Sequence, residues 1–166
     1  MKKIFVVSLL WIVLSSQAHA EDHLFELELA PTRLGYSTFD GPIYGMQASL
    51  LFRMYDHWQW RAGGSFSSSV KYHDDFFLLF TGPRYNFGED LLRSYFLGAG
   101  VAYGNEFTLA ADGYQKINSY SSYFEFGKRF QLNDAGTWSY EPQIAVYGTQ
   151  GRGNIQLLPL VFTYSF

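Results

Sequence analysis

The sequence predicts an all-β fold, an eight-stranded antiparallel transmembrane up-and-down β-barrel, and three observations support this prediction. Apolar and polar residues alternate along eight segments of about ten residues, the length that a tilted strand needs to cross a bilayer. Aromatic residues make up 20% of the 166 residues and charged residues only 16%. Short turns and longer polar loops alternate between the segments, an arrangement that is typical of membrane barrels.

Residues 1–20 have the features of a secretory signal peptide that is cleaved from the mature protein. Two lysines follow the initial Met, an apolar run of 11 residues comes next, and Ala18-His19-Ala20 matches a small-residue cleavage site. The apolar run is too short for a membrane-spanning helix, which needs about 20 residues. We therefore expect one mature domain, the barrel of residues 21–166.

The composition excludes several classes of protein. Because the chain has no Cys, it can form neither a disulfide scaffold nor a thiolate metal site. A formal net charge of −3 argues against a nucleic-acid partner. No metal-ligand cluster, phosphate-binding loop or dinucleotide motif is found in the sequence, so we expect no metal and no cofactor.

The alternation defines the eight predicted strands. The clearest segment is 44–54, where every even position is apolar or Ala and most odd positions are small or polar. The predicted strands are residues 24–33, 44–54, 58–67, 76–87, 95–104, 120–130, 138–148 and 155–166. Compact turns at 55–57, 88–93 and 131–137 alternate with polar loops at 35–42, 68–75, 105–118 and 149–154. An even number of strands returns both termini to one side, which we expect to be periplasmic.

The apolar face of the strands is predicted to point outward, toward lipid. Rings concentrate near both ends of the strands, with Trp58 and Trp138 at the turn side and Tyr44 and Tyr120 at the loop side. Two such aromatic belts match the two interfaces of a membrane. A soluble antiparallel sheet instead buries its large apolar side chains in one core.

The chain resembles the small eight-stranded outer-membrane barrels of bacteria, a group that includes the OmpA and OmpX types and the lipid A-modifying barrels. The residues that carry the resemblance are the segments 82–88 (GPRYNFG) and 95–104 (YFLGAGVAYG) and the C-terminal Phe166. The alternating Phe162, Tyr164 and Phe166 resemble the C-terminal assembly signal of such proteins. The resemblance implies a monomer in the outer membrane of a Gram-negative bacterium, surrounded by outer-membrane lipids and lipopolysaccharide and inserted by the barrel-assembly machinery.

The lumen of an eight-stranded barrel is narrow enough for side chains to fill it. Toward the turns, the polar face carries four acids and four bases, and because desolvated charges must be paired we expect a plug of ion pairs. The predicted plug residues are Glu26, Glu28, Arg53, Arg61, Arg84, Glu125, Arg129 and Glu141.

Toward the loops, the inward residues become small or less charged, which could leave a cup open to the outside for an acyl chain. Equally, Tyr123 and Tyr147 could fill this space. Residues assigned to this half include Thr32, Gln47, Ser65 and Ser67, with Phe76, Leu78, Phe80, Ile155 and Leu157 as further candidates.

Three prolines inside predicted strands form a candidate lateral seam in the barrel wall. Pro142 and Pro159 come nearly opposite each other if the last hairpin closes near Gly151, and Pro31 lies at a similar height on the first strand. Proline has no backbone N–H to donate to a strand ladder. Either each of these prolines lies at a bulge or in a non-bonded register, or together they weaken the wall. A weakened wall would admit a lipid tail.

Candidate catalytic residues are few. The loop containing Ser68, His73, Asp74 and Asp75 holds the residue types of a nucleophile, base and orienting group, and a palmitoyltransferase of the related lipid A barrels uses such residues. The 3-O-deacylase of that group has a His-x-Ser-Asn motif where this chain has Val146 and Gly148, which cannot supply a base or a nucleophile.

Three functions therefore remain open. The sequence favours a non-enzymatic outer-membrane barrel with a structural role or a surface-interaction role through its extracellular loops. The first alternative is an enzyme that modifies the acyl groups of lipid A or phospholipid, or a lipid-binding barrel with an outward-open cup. The further alternative is an adhesin.

Overall fold

The fold of the computed structural model is a closed antiparallel barrel, which confirms the predicted fold class. The structure describes residues 24–37, 41–71, 75–88, 93–110, 113–149 and 152–166. Each strand pairs with its neighbours along the chain, and the first strand also pairs with the last, from Glu26–Ser165 to Ser37–Asn154, which closes the barrel.

Eight barrel strands are built from ten strand segments. The segments are β1 (Phe25–Ser37), β2 (Gly41–Tyr55), β3 (Trp58–Ser69), β4 (Asp75–Phe87), β5 (Tyr95–Ala110), β6 (Gly113–Lys128), β7 (Phe130–Gln131), β8 (Trp138–Tyr140), β9 (Gln143–Thr149) and β10 (Arg152–Ser165). The sixth barrel strand consists of β6 and β7, and the seventh consists of β8 and β9, because β7 pairs with β8 while β6 pairs with β9.

The hairpin of β5 and β6 is longer than the sequence analysis predicted. Its ladder continues to the pair Ala110–Gly113, so the expected loop at 105–118 is largely strand. The ladder of β5 with β4 stops at Leu78–Gly104, and that of β6 with β9 stops at Ser122–Gly148. Beyond these pairs the two strands pair only with each other in the part of the chain that the structure describes.

Large apolar side chains cover the outside of the barrel. Leu50, Phe66, Val101 and Phe124 point outward near the middle of their strands, and each exposes about half of its surface. Such an exterior is the reverse of a soluble sheet and matches a wall in contact with lipid. Among the described residues, no helix is both long enough and apolar enough to cross a membrane.

Bulges change which residues face the lumen on β1 and β10. The β1–β10 register shifts on both sides of Thr32, and the β1–β2 register shifts between Ala30 and Arg33. Two predictions were therefore wrong: Arg33 rather than Thr32 is buried inside, and Ile155 and Leu157 are exposed on the outside. An extra residue in one strand exchanges its two faces, which simple alternation cannot reveal.

Candidate functional site: the filled lumen

The turn-side half of the lumen holds a connected network of charged side chains. It contains seven of the eight residues predicted for an ion-pair plug, and all seven are buried. They are Glu26, Glu28, Arg61, Arg84, Glu125, Arg129 and Glu141. The strands that contribute these residues are distributed around the whole barrel, so the network joins opposite sides of the wall.

Arg84 on β4 is the residue with the most ionic partners. Its Nη2 is 2.9 Å from Glu28 Oε2 and its Nε is 3.0 Å from Glu125 Oε1. Its Nη1 is 3.0 Å from Glu141 Oε2. The guanidinium carbon also lies 3.9 Å from the ring centroid of Phe96, which is buried beneath it. Arg84 therefore links three strands and stacks on an aromatic ring.

Arg61 on β3 forms ion pairs with Glu28 and Glu125, the same two carboxylates that Arg84 contacts. Neutral side chains complete the coordination of Glu28, because Ser49 Oγ donates to it over 2.7 Å and Gln143 Nε2 over 2.8 Å. A carboxylate with these donors retains much of the hydrogen bonding that it loses when it leaves water.

Arg129, directly after β6, forms the third centre. Its Nη1 and Nη2 donate to the two carboxylate oxygens of Glu26 over 2.8 and 2.6 Å, which is a bidentate pair. Its Nε is 2.6 Å from Glu141 Oε1, an ion pair that lacks hydrogen-bond geometry. Gln59 Nε2 donates to Glu26 over 3.0 Å. The sequence analysis missed Gln59, Gln143 and Ser49, although their inward positions in the alternation could have indicated them.

Arg53 is the predicted plug residue that lies apart from the network. It is half-buried near the β2–β3 turn, and none of the ion pairs among the described residues includes it. Its ladder partner is Gln59, and the β2–β3 register shifts between Arg53 and Tyr55. This position is at the rim of the barrel, nearer to the turn than the pair Glu26–Leu51.

An aromatic layer lies next to the ionic network on the loop side. The rings of Phe80, Tyr123 and Tyr147 are buried, and their centroids are 5.6 Å apart for Phe80–Tyr123 and 5.8 Å for Tyr123–Tyr147. The guanidinium carbon of Arg61 lies 4.9 Å from the centroid of Phe80 and so joins the two layers. At this level the lumen is occupied by tyrosines rather than open as a cup.

Inward glycines provide the space for these large groups. A Cβ atom at Gly98 would lie 2.4 Å from Oε1 of Glu125, and one at Gly100 would lie 2.7 Å from Cε1 of Tyr123. Real Cβ atoms essentially never come so close to another heavy atom. The small residues of β5 therefore leave space in the lumen for the charged groups and rings that the neighbouring strands contribute.

The three seam prolines lie at irregularities of the ladder. Pro31 and Pro159 fall within register shifts, and Pro142 lies in the break between β8 and β9. The pair Leu158–Gln143 puts Pro159 and Pro142 next to each other, as predicted if the last hairpin closes near residue 151. Tyr140 Oη donates to the Pro159 carbonyl over 2.6 Å, so this carbonyl still has a hydrogen-bond donor.

The candidate catalytic loop is described only in part. Ser68 Oγ donates a hydrogen bond to Oδ1 of Asp75, whereas His73 and Asp74 lie outside the described residues. Among the residues that the structure does describe, no group of three His, Cys, Asp or Glu side chains could hold a metal ion.

The C-terminal aromatic residues are part of the closed sheet. Phe162 points outward, and the ring centroid of Tyr164 lies 4.9 Å from that of Trp138. The backbone N–H of Phe166 donates to the carbonyl of Phe25 over 3.0 Å. The predicted assembly signal is therefore at the closure between the last and first strands.

Comparison with known proteins bears on the fold alone. No protein-family model matches the chain, and no curated protein matches it either. Among solved structures, the N-terminal β-barrel domain of Pseudomonas aeruginosa OprF matches with a TM-score of 0.60 and 14% sequence identity, covering 86% of this chain and 96% of that chain. Neisserial surface protein A (NspA) matches with a TM-score of 0.67 and 11% identity, covering 86% and 97%. The chain has the fold of the small outer-membrane barrels.

A third structure of this fold is Ail, the attachment invasion locus protein of Yersinia pestis, solved in complex with the heparin analogue sucrose octasulfate. It matches with a TM-score of 0.56 and 12% identity, covering 86% of this chain and 97% of that chain. These matches confirm the OmpA/OmpX-type barrel. Because one fold supports many functions, they do not transfer a ligand or an activity.

Proposed function

We propose that the protein is a non-enzymatic, monomeric barrel of the Gram-negative outer membrane that serves as a structural or surface-interaction protein. The observation that carries this proposal is the filled lumen, in which buried ion pairs and the rings of Phe80, Tyr123 and Tyr147 occupy successive levels. Because these levels are filled, the protein interacts through its outer surface, its loops and the part of the lumen next to the loops.

Outer-membrane location is supported by the apolar exterior, by the fold and by the signal-peptide features of residues 1–20. In this arrangement both termini and the short turns are periplasmic, and the long β5–β6 hairpin is extracellular. Membrane lipids and lipopolysaccharide surround the apolar wall, and Phe162, Tyr164 and Phe166 address the chain to the barrel-assembly machinery.

The filled lumen is tested by ion conductance in a planar lipid bilayer. We expect no steady current from the wild-type protein. A variant that combines Phe80→Ala, Tyr123→Ala and Tyr147→Ala should also remain closed, because the ionic network still fills the adjacent level. A stable open-pore current through the wild type would contradict the proposal.

The surface role is tested by shortening the β5–β6 hairpin. Asn105 and Asn118 are ladder partners, so an Asn-Gly turn that replaces residues 106–117 joins them in register. Cells that carry this variant should insert the barrel normally but lose attachment to host cells or matrix. A matched control shortens the Gly88–Arg93 turn at the other end. Undiminished attachment would dismiss the hairpin as the interacting surface.

The ligand of Ail does not suit the loops of this chain. The four segments 35–42, 68–75, 105–118 and 149–154 together contain five acidic and three basic residues. A sulfated polyanion would meet net negative charge there. If the protein is an adhesin, we expect its partner to be neutral or basic.

An acyl-modifying enzyme is the second candidate, favoured by the hydrogen bond between Ser68 and Asp75 in the loop that also contains His73. Mass spectrometry of lipid A and phospholipids, with and without the gene, separates it from the first. We expect an unchanged lipid profile. A change that His73→Ala abolishes, with normal insertion of the variant, would establish the enzyme instead.

A further inference from the structure

Arg33 is a buried cation on the loop side of the lumen that has no carboxylate partner among the described residues. Only 2% of its surface is exposed, because the bulge at Pro31 turns it inward. Each arginine of the ionic network contacts at least two carboxylates, whereas no ion pair in the described part of the chain involves Arg33. A guanidinium remains protonated in proteins, so the charge cannot be removed by titration.

Neutral groups hold Arg33 in place. Its Nε donates to Gln156 Oε1, and its Nη1 donates to Ser67 Oγ over 3.2 Å. Its guanidinium carbon lies 5.3 Å from the ring centroid of Tyr147. A guanidinium has five N–H groups, and these two hydrogen bonds use two of them. The Nη2 group and one hydrogen of Nη1 have no hydrogen-bond partner among the described residues, and they form an edge that fits two oxygens of one anion.

Further polar groups line the same part of the wall. Gly45 lies between Arg33 and Ser67 in the register of β1, β2 and β3, and Gln47 lies two residues further along the same face, opposite Ser65. Both amide atoms of Gln47 and the Ser65 hydroxyl are buried without a hydrogen-bond partner in the described structure. Buried polar groups are normally satisfied, so the unpartnered Gln47 amide N–H and Ser65 O–H, near a cation that has no carboxylate partner among the described residues, indicate a missing acceptor.

We propose that Arg33, together with Gln47, Ser65 and Ser67, binds a tetrahedral oxyanion of the phosphate class in the loop-side lumen. A planar carboxylate would occupy the free edge of Arg33, but a tetrahedral anion has additional oxygens for hydroxyl and amide donors that approach from β2 and β3. The anion is either free inorganic phosphate or a phosphate group that an outer-leaflet lipid presents.

The test uses the purified full barrel in detergent, titrated with inorganic phosphate against chloride at constant ionic strength. We expect a saturable rise of the unfolding temperature, and a saturable shift of the Arg33 Nε–H resonance in nitrogen-15 NMR spectra. Arg33→Gln should weaken apparent phosphate affinity at least tenfold. Arg93→Gln, which changes an exposed arginine in the turn after β4, is the matched control and should bind as the wild type does.

The same titration with lipid A and with dephosphorylated lipid A identifies the source of the anion. A response to phosphorylated lipid A that exceeds the response to inorganic phosphate assigns the site to a lipid phosphate, and the reverse assigns it to the free ion. If Arg33→Gln fails to fold, the shift of the Arg33 Nε–H resonance in the wild-type NMR titration decides whether the anion binds at Arg33. No saturable response to either source, or an equal response in a folded Arg33→Gln variant, would overturn the proposal.

Discussion

Arg84 Nη2 lies 2.9 Å from Glu28 Oε2, so a single contact joins β4 to β1 across the lumen. Both side chains are fully buried, and each has at least one further ionic partner. Removal of both charges from such a pair is often tolerated, whereas removal of one leaves the other buried without compensation. The network therefore makes the stability of the barrel sensitive to single substitutions.

We expect Arg84→Met to lower the free energy of unfolding by about 3–5 kcal/mol, because Glu28, Glu125 and Glu141 each lose a cationic partner. Urea unfolding in detergent or lipid vesicles measures the effect. Arg93→Met, at an exposed position in the turn after β4, is the control and should change stability by less than about 0.5 kcal/mol. A loss below about 1 kcal/mol for Arg84→Met would show that the network contributes little.

Gly98→Ala should destabilise the barrel by about 1–3 kcal/mol, because the new methyl group overlaps Oε1 of Glu125 and displaces it from the network. Gly64→Ala on β3 is the matched control. There the nearest atom is the flexible Cδ2 of Leu79 at 3.3 Å, which can move aside. Equal unfolding curves for the two variants would argue against the proposed crowding at Gly98.

A charge on the outer wall tests whether the wall faces lipid. Leu50 points outward in the middle of β2 with 54% of its surface exposed. We expect Leu50→Arg to cost about 2–4 kcal/mol of stability in lipid vesicles, because the charge enters the hydrocarbon region. Leu132→Arg, at an equally exposed position in the β7–β8 turn, should be close to neutral. A neutral Leu50→Arg would indicate water at this surface.

The prolines should produce local weakness in the sheet. Amide protons next to Pro31, Pro142 and Pro159 are expected to exchange faster in detergent than those of the β3–β4 ladder, which is unbroken from Trp58–Tyr85 to Ser68–Asp75. Hydrogen exchange followed by NMR gives the comparison residue by residue. Uniform protection along β1, β9 and β10 would rule out a lateral seam.

Much of the lumen could be predicted because alternation is a local property. The ladders of β3, β4 and β6 are regular where these strands line the network. The inward positions of Arg61, Arg84 and Glu125 therefore follow directly from the two-residue period of side chains along a strand. Arg33 could not be predicted in this way. Its orientation depends on an extra residue at the Pro31 bulge, and a bulge is defined by two strands rather than one.

The sequence by itself determined the fold class, the number of barrel strands and the outward face of most strands, because these depend on the period of side chains along each strand and on the lipid that surrounds them. Only the tertiary structure decided which charges meet, that Tyr123 and Tyr147 fill the lumen and that Arg33 is buried without a counter-charge among the described residues. These outcomes depend on register, bulges and distances across the barrel, which join residues far apart in the chain.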